Sequence, residues 1–325
     1  MNTKILYIVV PCFNEEEILE YSAKILQNKL QYLVQNKKIS TNSKILLVDD
    51  GSTDKTWSII STLNKENVEI TGVKLSVNKG HQNALLAGLA VANKSADMTV
   101  SIDADLQDDV NAIDEMIEKF YESFDIVYGV RKSREKDSFF KKTTAEMFYK
   151  FMNFLGAKTV FNHADFRLMS KKALKALLQF EETNIFLRGI VPQLGFKTSF
   201  VYYNRKERKA GVSKYPISKM IAFAVNGITS CSVKLIHIIF FVGVLFFLIG
   251  SVKTFLLLIY KILAKEKTFS DITKIMNFLW LFVGITLISL AIIGEYVGKI
   301  YLEVKKRPKY IIEENLDENE SSNEK

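Results

Sequence analysis

The stretch Asp103-Ala-Asp-Leu-Gln-Asp-Asp109 concentrates oxygen donors just after a short apolar run carrying Met98, Val100 and Ile102. On extended backbone, residues two apart share a face, so Asp103, Asp105 and Gln107 point the same way. Hard oxygen ligands of this kind suit Mg²⁺ or Mn²⁺, with substrate phosphates completing the coordination shell. The plainer alternative is a solvated acidic loop that caps the next helix. A cap needs one carboxylate and not a row of them. Asp108 and Asp109 are assigned to that capping role, at the start of a helix expected over 110–123.

Around this stretch the chain alternates apolar runs with polar loops and helical segments. Strands are expected at 5–10, 44–48, 68–75, 98–102 and 125–130, with β-branched and apolar residues throughout, as in strands buried on both faces. Such alternation gives crossover units and a mainly parallel sheet with helices on both sides. Ligands then sit beyond the carboxyl ends of the strands. Asn14-Glu15, Asp49-Asp50, Asn78 and Asp103 to Gln107 all fall at those ends. No Gly-x-Gly-x-x-Gly follows the first strand and no Walker-type Gly-Lys-Ser/Thr occurs, which disfavours dinucleotide oxidoreductases and P-loop NTPases. An acidic, cation-compatible mouth on an α/β sheet suits a nucleoside diphosphate, whose own charge needs a counter-ion.

Composition adds a membrane to this picture. The 325 residues carry 44 Lys and Arg against 36 Asp and Glu, a net charge of +8. The basic residues gather at 131–142, 205–219 and 299–309, while 313–325 is acidic and expected to be disordered. Cys12 and Cys231 lie far apart in unlike segments, so a reducing compartment fits better than a disulfide framework. No signal peptide precedes the first strand. Segments 235–260 and 277–297 are apolar all round and exceed the roughly 20 residues that span a bilayer. Lysine-rich flanks on the outer side of each span place both ends in the cytoplasm, although 261–274 is also basic. The resulting plan is a catalytic domain over 1–210, juxtamembrane helices lying in the interface over 211–234, a two-helix transmembrane hairpin over 235–300, and a cytoplasmic tail over 301–325.

Five motifs in order carry a family resemblance: Pro11-x-Phe-Asn-Glu15, Asp49-Asp-Gly-Ser-Thr-Asp-x-Thr56, Asn78-x-Gly-His-Gln-x-Ala84, Asp103-Ala-Asp-Leu-Gln-Asp-Asp109 and Gly211-x-Ser-Lys-Tyr215. With two C-terminal spans, the chain resembles family-2 glycosyltransferases of the GT-A, Rossmann-like fold. More narrowly it is similar to polyprenyl-phosphate glycosyltransferases, the bactoprenol glucosyltransferase and dolichol-phosphate mannosyltransferase group. Val110 stands where members commonly have Pro. The resemblance implies that Pro11, Asn14, Glu15, Asp49, Asp50, Asn78 and Asp103 line the donor nucleotide site. It implies Asp103, Asp105 and Gln107 as ligands of Mg²⁺ or Mn²⁺, and Asp105 and Asp165 as catalytic residues with Arg131. Ser52 to Asp54 read equally as a turn before the next helix, and His81 equally as a capping histidine.

The acceptor in such a reaction is a phosphate monoester, largely ionised at neutral pH because its second pKa lies near 6. It needs positioning and counter-charge more than deprotonation. Arg131, Arg134, Arg205, Arg208 and Lys214 are the candidates, Arg being suited to bidentate phosphate contact. Lys206, Lys209 and Lys219 read instead as a membrane flank. Asp165 is either a group near the sugar, as base or orienter, or the partner of Arg167 in a structural ion pair.

The expected reaction is inverting transfer of glucose or N-acetylglucosamine from a UDP-sugar, with a GDP-sugar as the alternative donor, to undecaprenyl or another polyprenyl phosphate. Expected partners are the membrane, a second copy of the chain, and a downstream flippase and second glycosyltransferase, but no nucleic acid. A processive polysaccharide synthase would require a Gln-x-x-Arg-Trp motif, which neither Trp57 nor Trp280 supplies. A non-catalytic nucleotide-binding membrane protein would have no need of the intact Asp103, Asp105, Gln107 row.

Overall fold

The computed structural model describes residues 3–131, 163–182, 186–204 and 271–317. Its centre is an eight-stranded mixed sheet. Strands β1 (Leu6–Cys12), β2 (Lys44–Asp49), β3 (Ile70–Leu75) and β4 (Met98–Ser101) run parallel in the order β4-β1-β2-β3. Between them lie α1 (Leu19–Gln35), α2 (Thr56–Glu66) and α3 (His81–Ser95), and α4 (Ala112–Tyr121) leads from β4 to β5 (Ile126–Arg131). This is the mainly parallel α/β arrangement expected from the alternation of strands and helices.

Period-two alternation sorts the strand side chains into two core layers. Leu6, Ile8 and Val10 of β1 face a layer closed by α1, α2 and α4; Tyr7 and Val9 face a layer closed by α3. Gly88 lets α3 sit close, because a Cβ there would lie 2.5 Å from Val9 and 2.6 Å from Val48.

Three strands were not legible in the sequence pattern. β6 (His163–Ser170) inserts between β4 and β5 and runs antiparallel to both. It is followed by α5 (Lys171–Leu177) and the short helix α6 (Leu187–Ile190). β7 (Thr198–Tyr203) adds parallel to β5 at the sheet edge. β8 (Ile312–Asn315) covers the opposite edge, antiparallel to β3.

β8 shows that the start of the acidic tail, expected to be disordered, is a strand of the sheet; residues 318–325 lie outside the described residues. An uncovered β3 edge would leave a row of unpaired amides and carbonyls. The tail supplies partners, and its acids meet the lysines of the strands beneath. Lys74 lies 3.1 Å from Glu313 and Lys44 lies 3.1 Å from Asp317, which also accepts from the Tyr7 hydroxyl at 3.3 Å. Ile312 packs on one core layer and Leu316 on the other. The Lys309 ammonium donates to the carbonyl of Phe180.

Before this strand comes α7 (Asp271–Val304), a single helix of 34 residues, roughly 50 Å long. The expected second span, 277–297, lies inside it. Phe282, Leu290, Ile293, Val297 and Ile300 on this helix are exposed. Counted over the residues whose side chains are described, no helix is long and apolar enough to cross a membrane. The first expected span and the juxtamembrane segment lie outside the described residues.

Because Leu316 closes the end of a core layer from the tail and is partly buried, Leu316→Ala should lower unfolding stability by about 2 kcal/mol, the low end of the range for leucines in a core. Denaturant unfolding of the detergent-solubilised protein checks this. A truly disordered tail would leave the midpoint unchanged.

Candidate active site

All the parallel strands end at one edge, and their loops interlock there. Asn14, in the left-handed region at φ 52°, donates its amide to Ser52 Oγ at 3.0 Å and accepts from the Thr53 amide at 2.9 Å. The Glu15 amide donates to Thr56 Oγ1 at 2.9 Å. Asp49 and Asp50, both buried, continue the register that pairs Cys12 with Asp49. Asp49 accepts from the Ser52 amide at 3.2 Å. Asp50 accepts from the amides of Lys79 at 2.8 Å and Gly80 at 2.9 Å, so it ties the loop after β3 to the end of β2. Burial raises the pKa of both carboxyls against these hydrogen bonds.

Gly51 makes the loop contact possible. Its φ is +65°, and a Cβ would lie 2.6 Å from the Asn78 amide nitrogen. No side chain fits both conditions. Asn78 itself is exposed at the rim and Pro11 is buried beneath it. The 52–54 segment is a turn, with Asp54 accepting from the Thr56 amide at 2.9 Å.

The antiparallel β6 brings the second half of the site. Ser101, the last residue of β4, pairs with Arg167, so Asp165 lies level with the segment that leaves β4 towards Asp103. His81, at the start of α3, bridges the two acids. Its Nε2 is 3.5 Å from Asp103 and 3.6 Å from Asp165. Asp165 is gripped further by Arg167 at 2.6 Å and by Arg188 of α6 at 3.0 Å. Sequence reasoning left the role of His81 open and did not single out Arg188. The His81 alternatives were capping and function, and Arg188 stands alone in an apolar segment without a motif.

Electrostatics follow from this crowding. Loss of solvent raises the Asp103 pKa; His81 opposes that, and the charges of Asp108, Asp165 and Asp105 add to it. Burial would also raise Asp165, but Arg188, His81 and Arg167 outweigh it and hold this carboxyl well below the usual range. These cations keep the Asp165 carboxyl ionised despite its burial. The ion pair with Arg167 and the place beside Asp103 are both present. Burial alone would lower His81; the approach of Asp165 and the charges of Asp103 and Asp165 win, and its pKa rises from 6.5 to about 9.

Asp105 accepts from the Gln107 amide at 3.2 Å across a turn in which Leu106 has φ 44°. The Asp103 to Gln107 row is therefore a tight loop and not a continuing strand. Among the described residues, no three His, Cys, Asp or Glu side chains converge as a ready cation cage. The donor set fits a divalent cation that takes its remaining ligands from substrate oxygens and water, which is the habit of Mg²⁺. The raised Asp103 carboxyl, pressed by its acidic neighbours, is the local observation that favours such counter-charge.

Asp108 departs from the expected capping role. The N-cap of α4 is Asn111, without a side-chain cap bond, and Asp109 accepts from the Asn111 amide at 3.2 Å. Asp108 is buried and takes hydrogen bonds from Tyr203 at 2.6 Å and Arg131 at 3.0 Å. Arg131 closes the far side of the site at the end of β5. Arg134, Arg205, Arg208 and Lys214 lie outside the described residues.

Residues 7–178 match Glycosyl transferase family 2, and the chain belongs to that family: it is a glycosyltransferase. Within the family it is 48% identical to the uncharacterized glycosyltransferase YkoT of Bacillus subtilis (strain 168), over 96% of this chain and 92% of that one. It is 35% identical to the SfII prophage-derived bactoprenol glucosyl transferase of Shigella flexneri, over 95% of this chain and 97% of the relative. Among solved structures, glucosyl-3-phosphoglycerate synthase from Mycobacterium tuberculosis, in complex with Mn²⁺ and UDP, aligns with a TM-score of 0.44 at 17% identity, covering 70% of this chain and 78% of that one.

His81 supplies a pH test. Its folded pKa exceeds the unfolded value, so its stabilising contribution is complete below about pH 6.5 and is lost as pH rises through about 9. The stability difference between wild type and His81→Gln should be largest at the acid end of that window and close towards its alkaline end. Thermal unfolding across the window reads it. A difference independent of pH would mean that the imidazole is neutral in the fold.

Proposed function

We propose that this glycosyltransferase moves a sugar, glucose or N-acetylglucosamine, from a UDP donor to a polyprenyl phosphate at the cytoplasmic face of the membrane, with inversion at the anomeric carbon. The observation that carries the proposal is the meeting of two charge systems at one sheet edge. Acidic residues from the ends of β1, β2 and β4 stand on one side and Arg131 stands on the other. Relatives of nearly the same length that are named bactoprenol glucosyl transferases support the lipid acceptor. The apolar side chains exposed along α7 support a membrane location.

In this reading Asp103, Asp105 and Gln107 hold Mg²⁺ or Mn²⁺, and the bound cation supplies counter-charge to the leaving nucleoside diphosphate. Asn14, Glu15, Asp49, Asp50 and Asn78 shape the nucleotide pocket, with Asp49 and Asp50 acting through the loops they tie together. Asp165, fixed by Arg167 and Arg188, orients His81 beside the departing diphosphate. Arg131 receives the acceptor phosphate, whose oxygen attacks the anomeric carbon as the sugar–phosphate bond breaks on the opposite face. That oxygen is already ionised, so no protein base has to remove a proton. Arg134, Arg205, Arg208 and Lys214 are proposed to extend the phosphate site towards the bilayer.

The experiment uses the full chain in membranes, undecaprenyl phosphate and a panel of labelled sugar nucleotides, with the organic-phase product identified by mass. Asp105→Asn should cut transfer by at least about 100-fold while leaving the protein folded. Undiminished transfer by the wild-type protein in excess chelator would sink the cation assignment. A product made only on a soluble acceptor would sink the lipid assignment.

A further inference from the structure

Arg131 reaches the site with one edge of its guanidinium already engaged. Nε and Nη2 both donate to Asp108 Oδ1, at 3.3 and 3.0 Å, and the Tyr203 hydroxyl donates to the same oxygen at 2.6 Å. Asp108 and Tyr203 are almost wholly buried, 2% and 3% exposed, whereas the Arg131 side chain retains 25%. The sheet register sets this up. β5 and β7 run parallel with Arg131 directly opposite Tyr203, so both side chains leave the same edge together. Asp108 arrives from the loop after β4.

We propose that Asp108 and Tyr203 are positioning residues for the acceptor: they clamp the Nε/Nη2 edge of Arg131 so that its Nη1/Nη2 end faces the lipid phosphate. This rests on the reading of Arg131 as an acceptor-phosphate ligand. A guanidinium has five N–H donors in a rigid planar fork. The clamp uses Nε–H and one hydrogen of Nη2, and the other three form the end that matches two phosphate oxygens. Without the clamp a long Arg side chain would sample several rotamers and lose that orientation on binding. Charge balance alone does not explain the arrangement. Arg131 already neutralises Asp108, and the Tyr203 hydroxyl adds no charge. The ring of Tyr203 packs edge-on to Phe166, centroids 5.4 Å apart, and phenylalanine would fill that space equally well. The hydroxyl is therefore the part of Tyr203 that the core does not need.

Tyr203→Phe in the full-length protein isolates this effect. Initial rates are measured with undecaprenyl phosphate varied at saturating donor, and with donor varied at saturating acceptor. The expected result is an acceptor KM raised about threefold to tenfold, the size of one lost hydrogen bond, with donor KM and thermal midpoint little changed. Arg131→Lys, which keeps the charge and loses the fork, should raise acceptor KM further. Adding Tyr203→Phe to Arg131→Lys should then change nothing more, because the group being oriented is gone. Asp108→Asn, checked for folding by its thermal midpoint, should move acceptor KM in the same direction. If Arg131→Lys raises acceptor KM but Tyr203→Phe does not, or if the two effects simply add, the clamp is overturned while Arg131 keeps its role. If Arg131→Lys leaves acceptor KM unchanged, the acceptor reading of Arg131 is overturned and the clamp with it. Equal rises in donor and acceptor KM would assign Tyr203 to general structure and overturn the clamp.

Discussion

The mutual repulsion of Asp103, Asp105, Asp108 and Asp165 is the constraint on which this sheet edge depends. Gathered so closely, these carboxylates would protonate or drive the loops apart unless cations met them. The fold supplies a different solution for each side. Asp165 has two guanidiniums and an imidazolium, and Asp108 has Arg131 and a phenol. Asp103 has His81 as its ion-pair partner among the described residues. The proposed cation would sit on the Asp103 to Gln107 loop, where Asp108 and Asp165 add their charge to that of Asp103 and Asp105.

The same accounting limits how variants can be interpreted. Arg167 is buried and its pKa is lowered by burial against the pull of Asp165. Removing Asp165 would strand that guanidinium in the core, and a buried pair broken on one side typically costs about 3–5 kcal/mol. Loss of activity on replacing Asp165 would thus conflate folding with chemistry. Asp105 is freer of this problem because it stands on a loop of intermediate exposure.

Legibility from sequence followed the range of the determining contacts. The parallel strands β1 to β5 and the loops after β1, β2 and β4 rest on local patterns, namely apolar runs and polar clusters, and these were readable. β6 has the charged Asp165 and Arg167 in its interior, which breaks the apolar run that would mark a buried strand. Its identity as a strand comes from β4 and β5, with which it pairs on both sides. For the same reason the approach of Asp165 to His81, 84 residues apart in number, has no local trace. The dual life of Asp108 was equally hidden. A carboxylate just before a helix looks like a cap, and only the long-range arrival of Tyr203 and Arg131 turns it inward. The turn at Ser52 to Asp54 was visible, but the close approach of Gly51 to Asn78 belongs to tertiary structure.

The tail carries this argument to its end. An acidic run with few apolar residues satisfies the compositional rule for disorder, yet Ile312 and Leu316 suffice because the sheet edge provides the rest. A strand added to an existing edge gains its hydrogen bonds from a partner already ordered, so it needs far less apolar burial than an independent element. Lys44 and Lys74 then make the acidic composition an asset. The consequence is mechanical as well as energetic. Residues 305–311 are all that separate the end of α7 from β8, and Lys309 fastens this link to Phe180. The link reaches the β3 edge of the sheet, the far edge from β7. The acidic tail therefore fixes the edge of the sheet at which the 34-residue helix α7 is fastened.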